Sequence, residues 1–174
     1  MTKCSDVRVD RALALGAVSG AVGTLAMDLL LYRRARGDDA REGFSSWETA
    51  ATVTSWEEAS APGQVGRKLA QLVGRRPPPD TWARTMTNLA HWATGVGWGV
   101  QYGLLAARSS RRWQLAALLG PAAWLSSYVV LPLAKVYQPI WEYDARVLGE
   151  DLSAHLVYGA VTGITFSAVT RVVR

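Results

Sequence analysis

Four stretches of the chain are free of charged side chains or nearly so: residues 12–32, broken only by Asp28, and residues 85–107, 113–134 and 152–170. Each reaches the roughly 20 residues that span a hydrocarbon core about 30 Å thick, longer than most buried helices of soluble proteins. The pattern predicts an all-α, four-transmembrane-helix bundle forming a single integral membrane domain over residues 1–174, with an amphipathic, interfacial insertion at about residues 33–84 between the first and second helices. A cleaved secretory leader fits the first run less well. Its apolar part exceeds a typical h-region, Asp28 interrupts it, and no small-x-small pattern precedes Arg33.

Within these runs small residues recur every fourth position, which on a helix places them on one face. The first helix carries Gly16, Gly20 and Gly23 along one line, with Ala17, Ala21, Thr24 and Asp28 beside it. The second reads His91, Gly95, Gly99, Gly103, and the fourth reads His155, Gly159, Gly163, Ser167. Grooves of minimal side chains let helix backbones approach closely, the main way helices associate where lipid removes the hydrophobic driving force. The third helix offers Gly120, Trp124 and Tyr128 at the same spacing, with Pro121 placed to bend it and Pro132 near its end. The repeated imidazole-and-glycine pattern predicts that helices one-two and three-four are parallel helical-hairpin repeats.

The insertion reads as partly ordered. Ser46 precedes a predicted helix from Trp47 to Ala59, and Ser60 can cap a second one with Pro62 in its first turn. In that second piece Val65, Leu69, Leu72 and Val73 share one face and Arg67, Lys68 and Gln71 another, as in a helix lying at headgroup level. The block Arg75, Arg76, Pro77, Pro78, Pro79 ends it, and Asp80 is placed to cap the next span.

Composition alone conceals this split, because 174 residues at 49% hydrophobic resemble an ordinary soluble domain. The 19 Lys and Arg against 14 Asp and Glu give a net charge of +5. These cations flank the apolar runs, so they read as membrane-facing charge, and no basic stripe alternates with aromatics as in a nucleic-acid-binding module. The tight loop with Arg108, Arg111 and Arg112, together with the charged termini, predicts a cytoplasmic N-terminus. Arg33, Arg34, Arg36, Arg75, Arg76 and Arg84 on the long-loop side oppose that orientation. Expected partners are the bilayer and a second copy or another membrane protein. The single cysteine, Cys4, excludes an intramolecular disulfide and a cysteine-based metal cluster.

Alternating spans bring the end of helix one, the start of helix two, the end of helix three and the start of helix four to one side of the membrane. At about 1.5 Å per residue, Asp28, His91 and His155 each lie roughly 6 to 10 Å along their helices from a flanking charge. With Asn88 and Tyr128 they form a candidate polar cluster under an aromatic rim of Trp82, Tyr137, Trp141 and Tyr143. One reading is an interhelical hydrogen-bond cluster that holds the bundle together. Others are bis-histidine haem ligation by His91 and His155, a proton or small-solute path, and a divalent metal held by Asp28, His91 and His155. No P-loop, G-x-G-x-x-G, G-x-S-x-G or H-E-x-x-H is present. The sequence therefore favours a structural or binding role over catalysis and predicts no cofactor, with haem or a divalent metal as the alternatives. Glu142, Asp144, Glu150 and Asp151 read as a solvated acidic face.

Gly16-x-x-x-Gly20 running into Met27-Asp28, the Trp56 to Gly66 segment leading to Pro77 and Pro78, Asn88-Leu-Ala-His91-Trp92 with Tyr102-Gly103, and Pro139-x-Trp141 ahead of His155-Leu-Val-Tyr158-Gly159 carry a family resemblance over most of the chain. Together they resemble the YagU-like small bacterial inner-membrane proteins and their actinobacterial relatives. The resemblance implies a multi-pass helical membrane protein and no particular reaction.

Overall fold

The computed structural model describes residues 8–36 and 43–172, so Lys3 and Cys4 lie outside the described residues. Four long helices form the body: α1 (Val9–Arg36), α4 (Ala83–Arg108), α5 (Arg112–Leu133) and α6 (Ala145–Val172). Two shorter ones, α2 (Phe44–Glu48) and α3 (Ala61–Gly74), lie in the insertion. Helices α1, α5 and α6 are long and apolar enough to cross a membrane. The 26-residue α4 confines its charges to Arg84 and Arg108 at its ends, but Asn88, His91, Gln101 and four glycines dilute its apolar content.

Helix α1 is central, packing along both α4 and α6, while α5 packs chiefly on α6 and α3 on α4. The contacts follow the small residues. A methyl group added at Gly20 would lie 2.8 Å from the Gly95 carbonyl oxygen and 2.8 Å from the Gly99 Cα, and one at Gly16 would lie 2.7 Å from the Gly99 oxygen. Only glycine fits where two backbones run this close. On the other pair, a methyl at Gly159 would meet the Gly120 nitrogen at 2.7 Å and the Ala116 oxygen at 3.0 Å.

Small polar residues are buried beside the apolar core, and many large apolar side chains are exposed. Among the buried ones, Ser19, Thr24 and Thr170 donate to the carbonyls of Leu15, Gly20 and Phe166 in their own helices. These three hydroxyls are satisfied within their own helices, whereas those of buried Thr87 and Thr162 find no hydrogen-bond partner among the described residues. Val18, Val22, Leu25 and Leu29 of α1, Leu118, Leu125 and Val129 of α5, and Leu156 and Ile164 of α6 point outward. Such a surface suits an apolar surrounding, in keeping with helices long and apolar enough to cross a membrane. Large buried side chains gather at the end near the α4–α5 loop, around Leu15, Tyr102, Leu119 and Phe166. The opposite end is polar.

Several boundaries differ from the sequence reading. The helix expected from Trp47 to Ala59 ends at Glu48. Ala50 adopts a left-handed backbone, φ 45°, and the Glu58 carboxylate accepts from the Thr54 and Ser55 backbone N–H groups, holding 54–58 as a turn. The helix after Ser60 does form, and Leu69, Leu72 and Val73 face outward from it, Val73 being 87% exposed. Gly63 and Gly66 on the opposite face rest on Thr87 and Met86 of α4. Asp80 does not cap α4; it lies in a short 3-10 turn and accepts from the Trp56 backbone N–H at 3.4 Å. Helix α6 begins at Ala145, so Glu150 and Asp151 are helical and not part of the connection.

Candidate functional site

The glycine contacts set the geometry at the polar end. Thr24 and Asp28 lie one and two turns beyond Gly20 on α1, and His91 one turn before Gly95 on antiparallel α4. Close backbones at Gly20 and Gly95 therefore bring Asp28 opposite His91. The two meet with Nε2 of His91 2.8 Å from Oδ2 of Asp28, and the Asp28 side chain is 2% exposed. A buried carboxylate offers more lone pairs than one imidazole can fill.

Glu48 supplies the third group. Tyr32 near the end of α1 packs against Phe44 and Trp47, with ring centroids 5.4 and 5.8 Å away, and folds α2 back over the bundle. The Thr49 carbonyl then accepts from Arg84 Nε at 3.1 Å and from Asn88 Nδ2 at 2.9 Å. Held between these anchors, Glu48 places a carboxylate oxygen with those of Asp28 and the His91 ring nitrogen, all within 4.8 Å of one another. Its Oε1 is buried without a hydrogen-bond partner among the described residues. Burial, and then the charge of nearby Asp28, push the Glu48 carboxyl up to about 7, while His91 opposes the shift. Asp28, Glu48, Asn88, His91, Thr52 and Thr87 line a cavity of about 360 Å³ between the insertion and the bundle.

A second polar group occupies the α5–α6 side. Tyr128 donates to Asp151 Oδ2 at 3.0 Å, and His155 Nδ1 lies 3.0 Å from the Asp151 carbonyl oxygen and 3.4 Å from its Oδ1. Tyr128 stacks within an aromatic group of Trp124, Tyr137 and Tyr143. Burial, followed by the charge of Asp151, pushes the Tyr137 phenol up. Asp151 is thus engaged inside the bundle and not part of a solvated face. His91 and His155 both line a smaller cavity of about 210 Å³, with Thr24, Tyr137 and Tyr158. The Tyr158 hydroxyl crosses to donate to the Gly95 carbonyl at 2.7 Å.

Of the five residues expected to cluster, Asp28 and His91 touch. Asn88 lines their cavity while its amide holds Thr49, and Tyr128 and His155 meet around Asp151. Glu48 and Asp151 were not anticipated as site residues. Asp151 lies four residues before His155 in the sequence, a spacing that signals a same-face pair once the helix start is known. Glu48 carries no such signal, because its partners lie 20 and 43 residues away along the chain.

The glycine pattern also pairs differently from its reading as a repeat. Gly99 faces the Gly16 oxygen and the Gly20 nitrogen, and Gly159 faces the Ala116 oxygen and the Gly120 nitrogen. Gly159 thus takes the place of Gly99, which sets Asp151 opposite Tyr128 where His91 stands opposite Asp28. The imidazoles are one turn out of step.

Compared with known proteins, the chain matches no family model, no curated protein and no solved structure.

Proposed function

We propose that the chain is a multi-pass protein of a bacterial cytoplasmic membrane, spanning it with all four long helices, that binds a small polar ligand or ion at the Asp28–His91 pair. The observation that carries this reading is the roofed cavity: a hydrogen-bond pair serving only to hold helices together needs no 360 Å³ space beside it. Polar groups from α1, α2 and α4 converge on that space, and ionisable residues inside a bundle mark binding or transfer sites more often than they mark packing. The loop with Arg108 and Arg112 favours an N-terminus inside and the insertion outside. The YagU-like motifs are compatible with this placement. The matching contacts at Gly20–Gly99 and Gly120–Gly159 support two related helical hairpins offset by one turn in the second helix.

Solute access tests the reading. Thr87 is buried and lines the cavity, so a Thr87→Cys variant in a Cys4→Ser background can be reached by water-soluble reagents only through it. In proteoliposomes it should react with a small methanethiosulfonate ammonium reagent, while a Ser19→Cys variant in the helix packing does not. An unreactive Thr87→Cys, beside a reactive Glu57→Cys on the exposed turn, rules out a binding role for the cavity.

A further inference from the structure

We infer that Asp28, Glu48 and His91 form a site for one divalent transition-metal ion of the Zn²⁺ type. The inference rests on the binding reading and names its ligand.

The donor set is two carboxylates and one imidazole, contributed by α1, α2 and α4, with the donor atoms within 4.8 Å of one another. In a tetrahedral site with bonds of about 2.1 Å, donor atoms stand about 3.4 Å apart. The Asp28–His91 pair, 2.8 Å apart, would open by about 0.6 Å to admit an ion, and no donor pair needs to close by more than about 1.4 Å. Electrostatics points the same way. Two adjacent carboxylates with a neutral imidazole place two negative charges in a partly dry site when both are ionised, and a dication bound there would balance them. The Oε1 of Glu48 is an independent sign: it is buried without a hydrogen-bond partner among the described residues, and a metal ion would satisfy it.

The imidazole selects the class of ion. Mg²⁺ and Ca²⁺ take all-oxygen shells of six or more ligands, whereas one histidine with two carboxylates suits Zn²⁺ and its neighbours in the first transition row. Three protein ligands leave a fourth position, which faces the 360 Å³ cavity, where water or a further ligand can reach it. His155 stands outside this set, which groups Asp28, Glu48 and His91, and its Nδ1 rests on Asp151 of its own helix. Since one ligand comes from the insertion and two from the bundle, the ion would also fasten α2 down over α1 and α4.

The test uses the full chain, purified in detergent, stripped with a chelator and dialysed against Zn²⁺ in the presence of excess Mg²⁺, with bound metal counted by elemental analysis. One Zn²⁺ per chain is expected. Glu48→Gln and His91→Ala should each weaken binding at least about tenfold, and His155→Ala and Glu57→Gln, the latter at an exposed carboxylate outside the cavity, should leave it unchanged. Glu48 lies in a five-residue surface helix, so its variant keeps the bundle intact, and unchanged circular dichroism checks this. Co²⁺ substituted for Zn²⁺ should give the visible absorption of a four-coordinate site. Binding far below one ion per chain, or Glu48→Gln binding like the wild type, overturns the metal assignment. If Thr87→Cys is nevertheless reactive, the cavity still binds solutes and only the ligand identity is wrong; if it is unreactive, both fail.

Discussion

Asp28 and His91 stand 63 residues apart in the chain and 2.8 Å apart in space, and the glycines one or two turns away from each set that distance. The pair is a consequence of backbone proximity at Gly20 and Gly95, so its fate is tied to residues that carry no chemistry.

A side chain at the α1–α4 crossing should therefore disable the site from a distance. Gly99→Val would drive carbons into the Gly20 backbone and is expected to destabilise the protein by roughly 1–3 kcal/mol or more, as overpacking does. Gly97, two residues away on the same helix, has open space where a methyl would go, and Gly97→Ala should be neutral or slightly stabilising. Denaturation in mixed micelles, followed by circular dichroism, separates the two. Equal losses would contradict the assigned packing face.

Breaking the buried pair from one side should cost more than removing it whole. His91→Ala leaves the Asp28 carboxylate, 2% exposed, without its imidazole, and such uncompensated charges cost about 3–5 kcal/mol. Adding Asp28→Asn should recover part of that loss. A double-mutant cycle on unfolding free energy checks this, and strictly additive effects would show that the two side chains are not coupled.

Docking of the insertion should weaken as pH rises. Glu48 faces Asp28 on α1, His91 and Trp92 on α4, and its carboxyl is held at about 7 against an ordinary 4.5. The undocked segment loses that proton first, so between pH 4.5 and 7 the docked state binds more protons and is progressively disfavoured as pH increases, with the effect complete above about pH 7. In chelator-treated protein, hydrogen exchange across residues 44–58 should speed up from pH 5 to pH 7.5 beyond its intrinsic pH dependence. Glu48→Gln should abolish the excess.

The hold on Thr49 is a second, independent anchor. Arg84→Ala or Asn88→Ala removes one of two hydrogen bonds to its carbonyl, each worth about 0.5–1.5 kcal/mol, or somewhat more for the charged donor. Proteolysis within residues 49–58 should accelerate accordingly, by roughly 2- to 13-fold, while α5 and α6 stay protected. A cleavage rate unchanged in both variants would mean that the insertion is held elsewhere.

The spacing-of-four small residues, the charge-free runs and the apolar stripe of α3 announced the long helices and the outward apolar face, because helix period and lipid or water exposure act locally on residues a turn apart. Asp28 and His91 were legible as a converging pair for the same reason: depth along a helix is arithmetic. The sequence left the helix after Ser46 too long, since the left-handed Ala50 and the Glu58 carboxylate that end it early depend on how the turn closes. It left Asp151 in a loop because α6 starts earlier than its uncharged run, at Ala145, and because the Tyr128 hydroxyl that engages it comes from another helix. The tertiary structure alone decided that Glu48 joins Asp28 and His91, that Gly159 meets Gly120 much as Gly99 meets Gly20, and that His155 rests on Asp151. Those facts concern how one helix is rotated against another and how a chain folds back over them, and both are fixed by long-range packing that no local pattern encodes.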